Sequence, residues 1–425
     1  MKFLRETGFL ALTTFLLLFL PACGNQYRPV ANPIVSPGGQ PQTGHFAWVV
    51  NFNPSGQGST TEIDVSGDSN LAVNSMGVGS IAEAFPASSL ALYVANKGDD
   101  SVSEYLPTLA GAVTTINLPP GSQPVALGSA QNTAMYVVNS GANCHNNSGL
   151  ITGSISTIHT SNLTVTNTTC VGLNPIALAQ SPTNAFIYVL NQGDNGGLGS
   201  VTVFNPAGPA VTGTITTANG LGKNPVSLTA SLDGFWIFVV TQGDGAGPGT
   251  LDIISAGSTA IVGQVSLGVQ PTFSMIDPNL NRLYVANTGD NTVSVFDTTN
   301  VNPSGSPAIP LLATVPVGTG PIGVAALPNG SLFYVANSGS DNVTVVSSNS
   351  FSPLTSVALP AGANPVWIAS EPSSSKIYVA DKGTSETTII QTVNNTITQN
   401  LLAPPQSSGC TSDCTLQQPV MIVTK

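Results

Sequence analysis

The sequence predicts an all-β fold built from about eight copies of one small unit, with seven as the alternative count. Three observations carry that prediction. A strand ending in Tyr-Val-x-Asn recurs along the chain, a Pro-led apolar run precedes it at fixed distance, and the composition is that of short strands and turns. The 425 residues include 44 Gly and 32 Pro, and only 7% are charged, against an ordinary level of about 25%. Apolar residues still reach 41%, so the chain can bury a core and is not an acidic disordered polymer.

The clear copies of the strand are Tyr93–Asn96, Tyr136–Asn139, Tyr188–Asn191, Tyr284–Asn287 and Tyr334–Asn337, with looser copies at Trp48–Asn51, Phe238–Thr241 and Tyr378–Asp381. They recur about every 47 residues, a period in the range of repeat architectures. After most copies a Gly-rich turn leads into an alternating strand such as Val201–Phe204 or Val293–Phe296. Alternation of that kind marks a strand with two differently solvated faces. Pro124, Pro175, Pro225, Pro271, Pro321 and Pro365 each stand 12 or 13 residues before the aromatic of the next copy. Pro is tolerated at the first residue of a strand, where its missing N–H lies outside the ladder. The distance from each Asn-type position to the next Pro varies from 28 to 38. Each unit therefore holds a rigid hairpin, and its other connections take the insertions.

This pattern resembles the YVTN family of β-propeller repeats over about residues 45–425. The resemblance implies an eight-bladed propeller with four strands per blade: a Pro-led inner strand, the Tyr-Val-x-Asn strand, a Val-x-Val strand and an outer strand such as Thr114–Leu118. Blades stacked around an axis bury both of their faces. The repeats begin with the second strand of a blade, Phe46–Asn51, and end with a Pro-led strand, Pro419–Val423. Seven complete units lie between, the first with Gly79–Ala82 in place of the Pro-led run. The ends are thus expected to complete one another, with the C-terminal strand innermost in the first blade.

Residues 1–22 read as an export signal. Lys2 and Arg5 precede an apolar stretch from Phe9 to Leu20, too short for a hydrocarbon core of about 30 Å. Leu20-Pro21-Ala22-Cys23 resembles the bacterial lipobox, which makes Cys23 the lipidated residue. Pro21 departs from the usual residue there, and an ordinary secretory signal is the plainer alternative. Gly24 after the Cys resembles the sorting pattern for the outer membrane, facing the periplasm or the cell exterior. Residues 23–44, rich in Pro, Gly, Gln and Asn, read as lipidated Cys and tether. The net charge of −11 argues against a nucleic-acid partner, which needs clustered basic side chains.

Cys144, Cys170, Cys410 and Cys414 make an even count in an exported chain, which reads as two disulfides. Cys144–Cys170 and Cys410–Cys414 are the preferred pairs, each expected in a long irregular connection. Zinc competes as a reading, but no second His or Cys cluster accompanies these pairs.

Propeller relatives of this type include lactonases, which resemblance places as the rival function. The six Pro-led strands carry no acid, base or metal ligand near their starts, and His45, His145 and His159 are not expected to converge. Asp99, Asp194, Asp244 and Asp290 recur beside Gly just after the Tyr-Val-x-Asn strands, with Asp341 one place later. Turn chemistry explains them, and a Ca²⁺ site or a cationic partner on an acidic rim is the sharper alternative. No other cofactor is expected. Trp367 is either core or a stacking platform in the channel. Insertions at Phe52–Thr60, Ser140–Gly153, Gln192–Gly199 and Gln242–Gly249 make one side of that rim taller. The expected function is a lipid-anchored scaffold presenting this rim to a protein, peptide or glycan, with a structural cell-surface role as a further alternative.

Overall fold

The computed structural model describes residues 46–425 except 55, 87–90, 108–111, 130–132, 147–148, 183–185, 194–197, 278, 303–307 and 408–414. Cys23, His45, Asp194, Cys410 and Cys414, with the signal and tether, lie outside the described residues. Eight four-stranded antiparallel sheets follow one another around a ring. In blades 2–8 the inner strand comes first, and the chain moves outward through three hairpins before crossing to the next blade. The inner strands are Ser80–Ala84, Pro124–Gly128, Pro175–Gln180, Pro225–Ala230, Pro271–Asp277, Pro321–Ala326 and Pro365–Ser370.

Blade 1 is made from both ends of the described chain. Its sheet runs Ser69–Val78, Gln57–Asp64, Phe46–Phe52 and then Gln418–Thr424. The last strand pairs antiparallel with the first, from Ala47 opposite Thr424 to Phe52 opposite Gln418. Phe46 and Lys425 exchange backbone hydrogen bonds of 3.3 and 3.1 Å beyond that ladder. The closure read from the repeats is thus the closure of the fold, with the C-terminal strand innermost. Because the seam is a full β-ladder, Phe46–Phe52 is paired on both sides, and covering its edge removes an aggregation-prone template.

The repeated residues explain the packing. Tyr93, Tyr188, Tyr284, Tyr334, Tyr378, Phe238 and Trp48 are almost completely buried, as are the Val residues that follow them. Along a strand these side chains alternate, so each second strand buries one against either neighbouring blade. Burying one such side chain stabilises by about 1.5–3 kcal/mol. The outer strands behave differently: Ala112–Asn117 and Pro353–Ala358 are mostly exposed. This inside-to-outside gradient is why the inner and second strands carry the clearest sequence signal.

The terminal Asn of the motif is a clamp. Asn96 Nδ2 donates to Ser101 Oγ and Ser103 Oγ, both at 2.9 Å. Asn139 does the same to Ser154 and Ser156, Asn191 to Ser200 and Thr202, and Asn287 to Thr292 and Ser294. One buried amide satisfies two hydroxyls of the third strand, and burial without such partners would be costly. Sequence reading recognised the recurrence but not its purpose; the signal was a pair of Ser or Thr two residues apart in the third strands of these four blades.

Candidate functional site

Inner strands start in a special backbone state. Gln123, Asn174, Asn224, Gln270 and Asn364 all have φ between 43° and 51° immediately before the Pro. Asn is among the few side chains that tolerate this left-handed region. The strand then bulges: in blade 3 the register shifts between Pro124 and Ala126, and the other inner strands repeat this. A bulge leaves one residue unpaired and re-aims its side chain. The unpaired residues are Ile81, Val125, Ile176, Val226, Thr272, Ile322 and Val366, and Val420 holds the place in the closing strand. All eight are half-buried. Seven are branched aliphatics and one is Thr.

Five of them, Ile81, Val125, Ile176, Val226 and Thr272, line a central cavity of about 470 Å³. Gln192, Ser227 and Ser274 add its polar groups. None of the lining side chains ionises. General acid–base chemistry needs a titratable group within hydrogen-bond reach of its substrate, and this lining offers none.

Trp367 is not among the side chains lining that cavity. It is 7% exposed, meets Phe273 edge-on at 6.2 Å, and donates its Nε1–H to the Ile422 carbonyl at 2.9 Å. Its place is the seam between blade 8 and the closing strand.

The rim aspartates stitch blades together. Asp99 and Asp290 accept the N–H of Val78 and Val269, at 2.8 and 2.6 Å, from the crossover arriving at their own blade. Ser340 takes that position in blade 7 and accepts from Thr319 at 2.9 Å. The next residue grips the crossover that leaves. Asp341 accepts from Gly362 and Asn364, both at 2.8 Å, Asp100 from Gly121 and Gln123 at 2.6 and 2.7 Å, and Asn291 from Gly320 at 2.9 Å. Asp100, Asn291 and Asp341 all have positive φ. Asp244 instead pairs with Lys223 at 2.9 Å, both well exposed. Among the described residues no three His, Cys, Asp or Glu side chains converge in a metal-ligand arrangement.

Burial perturbs several acids. The run expected at Gly79–Ala82 is the strand Ser80–Ala84, and it carries Glu83, an acid that sequence reading stopped one residue short of. Glu83 is completely buried, and neither carboxyl oxygen accepts a well-formed hydrogen bond. Its backbone N–H meets the Met421 sulfur at 3.2 Å, which places it against the closing strand. Burial drives its carboxyl well above the ordinary range, opposed only by the Val423 amide. Asp381 replaces the clamp Asn in blade 8. Burial pushes it up to about 7, against the hydroxyl of Thr388 and with Glu386 and Asp341 adding to the rise.

Cys144 and Cys170 form a disulfide. They are not in irregular loops as expected: Cys144 lies near the end of the strand Ala134–His145 and Cys170 ends Thr164–Cys170. The insertion at Ser140–Gly153 is a continued hairpin in which Thr152 still faces Cys144. That hairpin walls a groove of about 840 Å³ between the outer parts of blades 3 and 4, with Leu150, Leu173, Leu198 and Val211 exposed along it. His145 lines it, while His159 ends a third strand and bonds Ser161.

No family model matches the chain, and no curated protein matches it. Solved structures do. Hydrazine synthase of Kuenenia stuttgartiensis is similar at 20% identity and TM-score 0.54, over 74% of this chain and 98% of that one. Apo AztD of Citrobacter koseri is similar at 13% identity and TM-score 0.59, over 90% and 98%. The dihydro-heme d1 dehydrogenase NirN, in complex with DHE, is similar at 12% identity and TM-score 0.65, over 90% and 78%. At these identities the likeness shows the propeller fold, and one fold hosts many activities.

Proposed function

We propose that the protein is an exported, lipid-anchored propeller that works as a binding scaffold, presenting its tall rim to a protein, peptide or glycan. The observation that carries this reading is the groove between blades 3 and 4. Its wall is a disulfide-pinned hairpin, and it exposes Leu150 at 59% and Leu198 at 58%. Clustered exposed aliphatics on a rigid frame are a recurrent mark of interaction surfaces, and a pinned hairpin loses little entropy on binding. Support for export comes from the lipobox-like Leu20–Cys23 and from the disulfide, a bond that persists in oxidising compartments. Two or more acyl chains would hold such a protein stably without a membrane-spanning helix.

A photo-crosslinking side chain at position 150 or 198 in cells tests the scaffold reading, with position 393 in blade 8, 80% exposed, as control. One dominant adduct from the groove and none from the control is the expected result. Equal, diffuse labelling from all three positions contradicts it. Metabolic labelling with an alkynyl fatty acid tests the anchor: label lost in Cys23→Ala is expected, and no label on the native chain contradicts it.

A further inference from the structure

We infer that the central cavity is a binding site for a small uncharged amphipathic molecule, with a branched or cyclic hydrocarbon body and one carbonyl, ether or hydroxyl edge. This inference is independent of the rim reading above. At about 470 Å³ the cavity lies within the ordinary range for small-ligand sites, roughly 300–1,000 Å³. One side, from blades 2 to 5, is a wall of Ile81, Val125, Ile176 and Val226, each re-aimed by its bulge. The other side is a polar shelf between blades 5 and 6.

Hydrogen counting on that shelf points to a ligand. Ser227 Oγ and Ser274 Oγ lie 2.9 Å apart, and Thr229 Oγ1 and Ser274 Oγ lie 3.2 Å apart. The Ser274 backbone N–H also donates to Ser227 Oγ. Three hydroxyls hold three hydrogens, and their two mutual contacts use two. One O–H therefore remains as a donor in a buried setting, where leaving it unmade is costly. Next to it, Thr288 gives its hydrogen to the Pro321 carbonyl. Thr272, 2.6 Å from Thr288, must then donate to Thr288 and keeps acceptor capacity on its own oxygen. Gln192 accepts from Asn174 through Oε1, which leaves its amide hydrogens for a ligand.

No lining group carries charge, so an ion entering this wall would lose hydration without a counterion. Charged ligands are excluded by that penalty, and the polar edge is read by donors and acceptors alone.

The test uses the full chain and two fluorescent probes of similar size: prodan, neutral with one carbonyl, and 8-anilinonaphthalene-1-sulfonate, an anion. Saturable one-to-one binding of prodan is expected, with the sulfonate at least about tenfold weaker. Val226→Trp fills the cavity and is expected to weaken prodan at least about tenfold; Val125→Phe, on the same aliphatic wall one blade removed, serves as the second variant. Thr272→Val removes one polar group and is expected to cost about fivefold. Non-saturable prodan binding, or equal affinity for the sulfonate on the native protein, overturns the proposal. So does undiminished binding in filled variants that melt like the native chain.

Discussion

Trp367 donates its indole N–H to the main-chain carbonyl of Ile422 across 2.9 Å, and that bond ties blade 8 to the strand that closes the ring. Thr424 Oγ1 adds a second tie to the Ser370 carbonyl at 2.7 Å. A third lies farther out, where Lys376 pairs with Asp68 of blade 1, both side chains mostly buried. Blade 8 therefore grips blade 1 near the axis and near its outer hairpin.

Trp367→Phe keeps most of the buried area but leaves the Ile422 carbonyl without its donor. A loss of about 1–3 kcal/mol is expected, read by denaturant unfolding at constant m-value. No change in midpoint would mean that the indole N–H contributes nothing to closure.

Glu83 stands where the next three blades have Leu127, Leu178 and Leu228, the residues at the same register on their inner strands. Its folded-state pKa lies well above the ordinary value. The folded protein therefore keeps a proton that the unfolded chain releases above about pH 4.5. Stability from this site is full below that pH and falls as pH rises through the raised value. Glu83→Leu is expected to stabilise at pH 8 by about 2 kcal/mol or more and to flatten the decline. Equal stabilisation at pH 4 and pH 8 would show that the carboxyl is not the cause.

Asp381 offers a second pH test at a different place. Its folded value of about 7 against about 3.8 unfolded removes stability between those limits as pH rises. Asp381→Asn restores the amide that six other blades use on their third strand, here toward Thr388. A gain of about 1–2 kcal/mol at pH 8 and little at pH 4 is expected, measured by thermal melts across pH. A loss at pH 8 would contradict the clamp.

The crossover stitches should behave as independent small contributions. Asp99→Ala, Asp290→Ala and Asp341→Ala are each expected to cost about 1–2 kcal/mol. The sites lie in different blades, so the costs should add. Sharply less-than-additive losses in the triple variant would mean that the carboxylates act together.

Much of this was legible in the chain. The constant spacing of 13 residues from Pro175, Pro271, Pro321 or Pro365 to the next Tyr reflects two strands packed on both sides, where a one-residue slip in pairing would turn side chains to the wrong face. The seam was readable because half a unit remained at each end. Glu83 escaped because its blade lacks the Pro that marks the others. The bulge that aims Val125 and Val226 at the axis leaves no composition signal, so the cavity could not be read. The disulfide-bearing insertion looked like a loop because Ser140–Gly153 is rich in Gly and Asn, although tertiary pairing extends it as a strand.

The closure itself is tested most directly by deleting residues 419–425 and following hydrogen exchange in Phe46–Phe52. Those amides pair with the closing strand on one side and with Gln57–Asp64 on the other. Loss of protection there and in Ser80–Ala84, with a large drop in melting temperature, is what an eight-bladed ring joined by its last strand requires. A truncated chain that melts and exchanges like the intact one would contradict it.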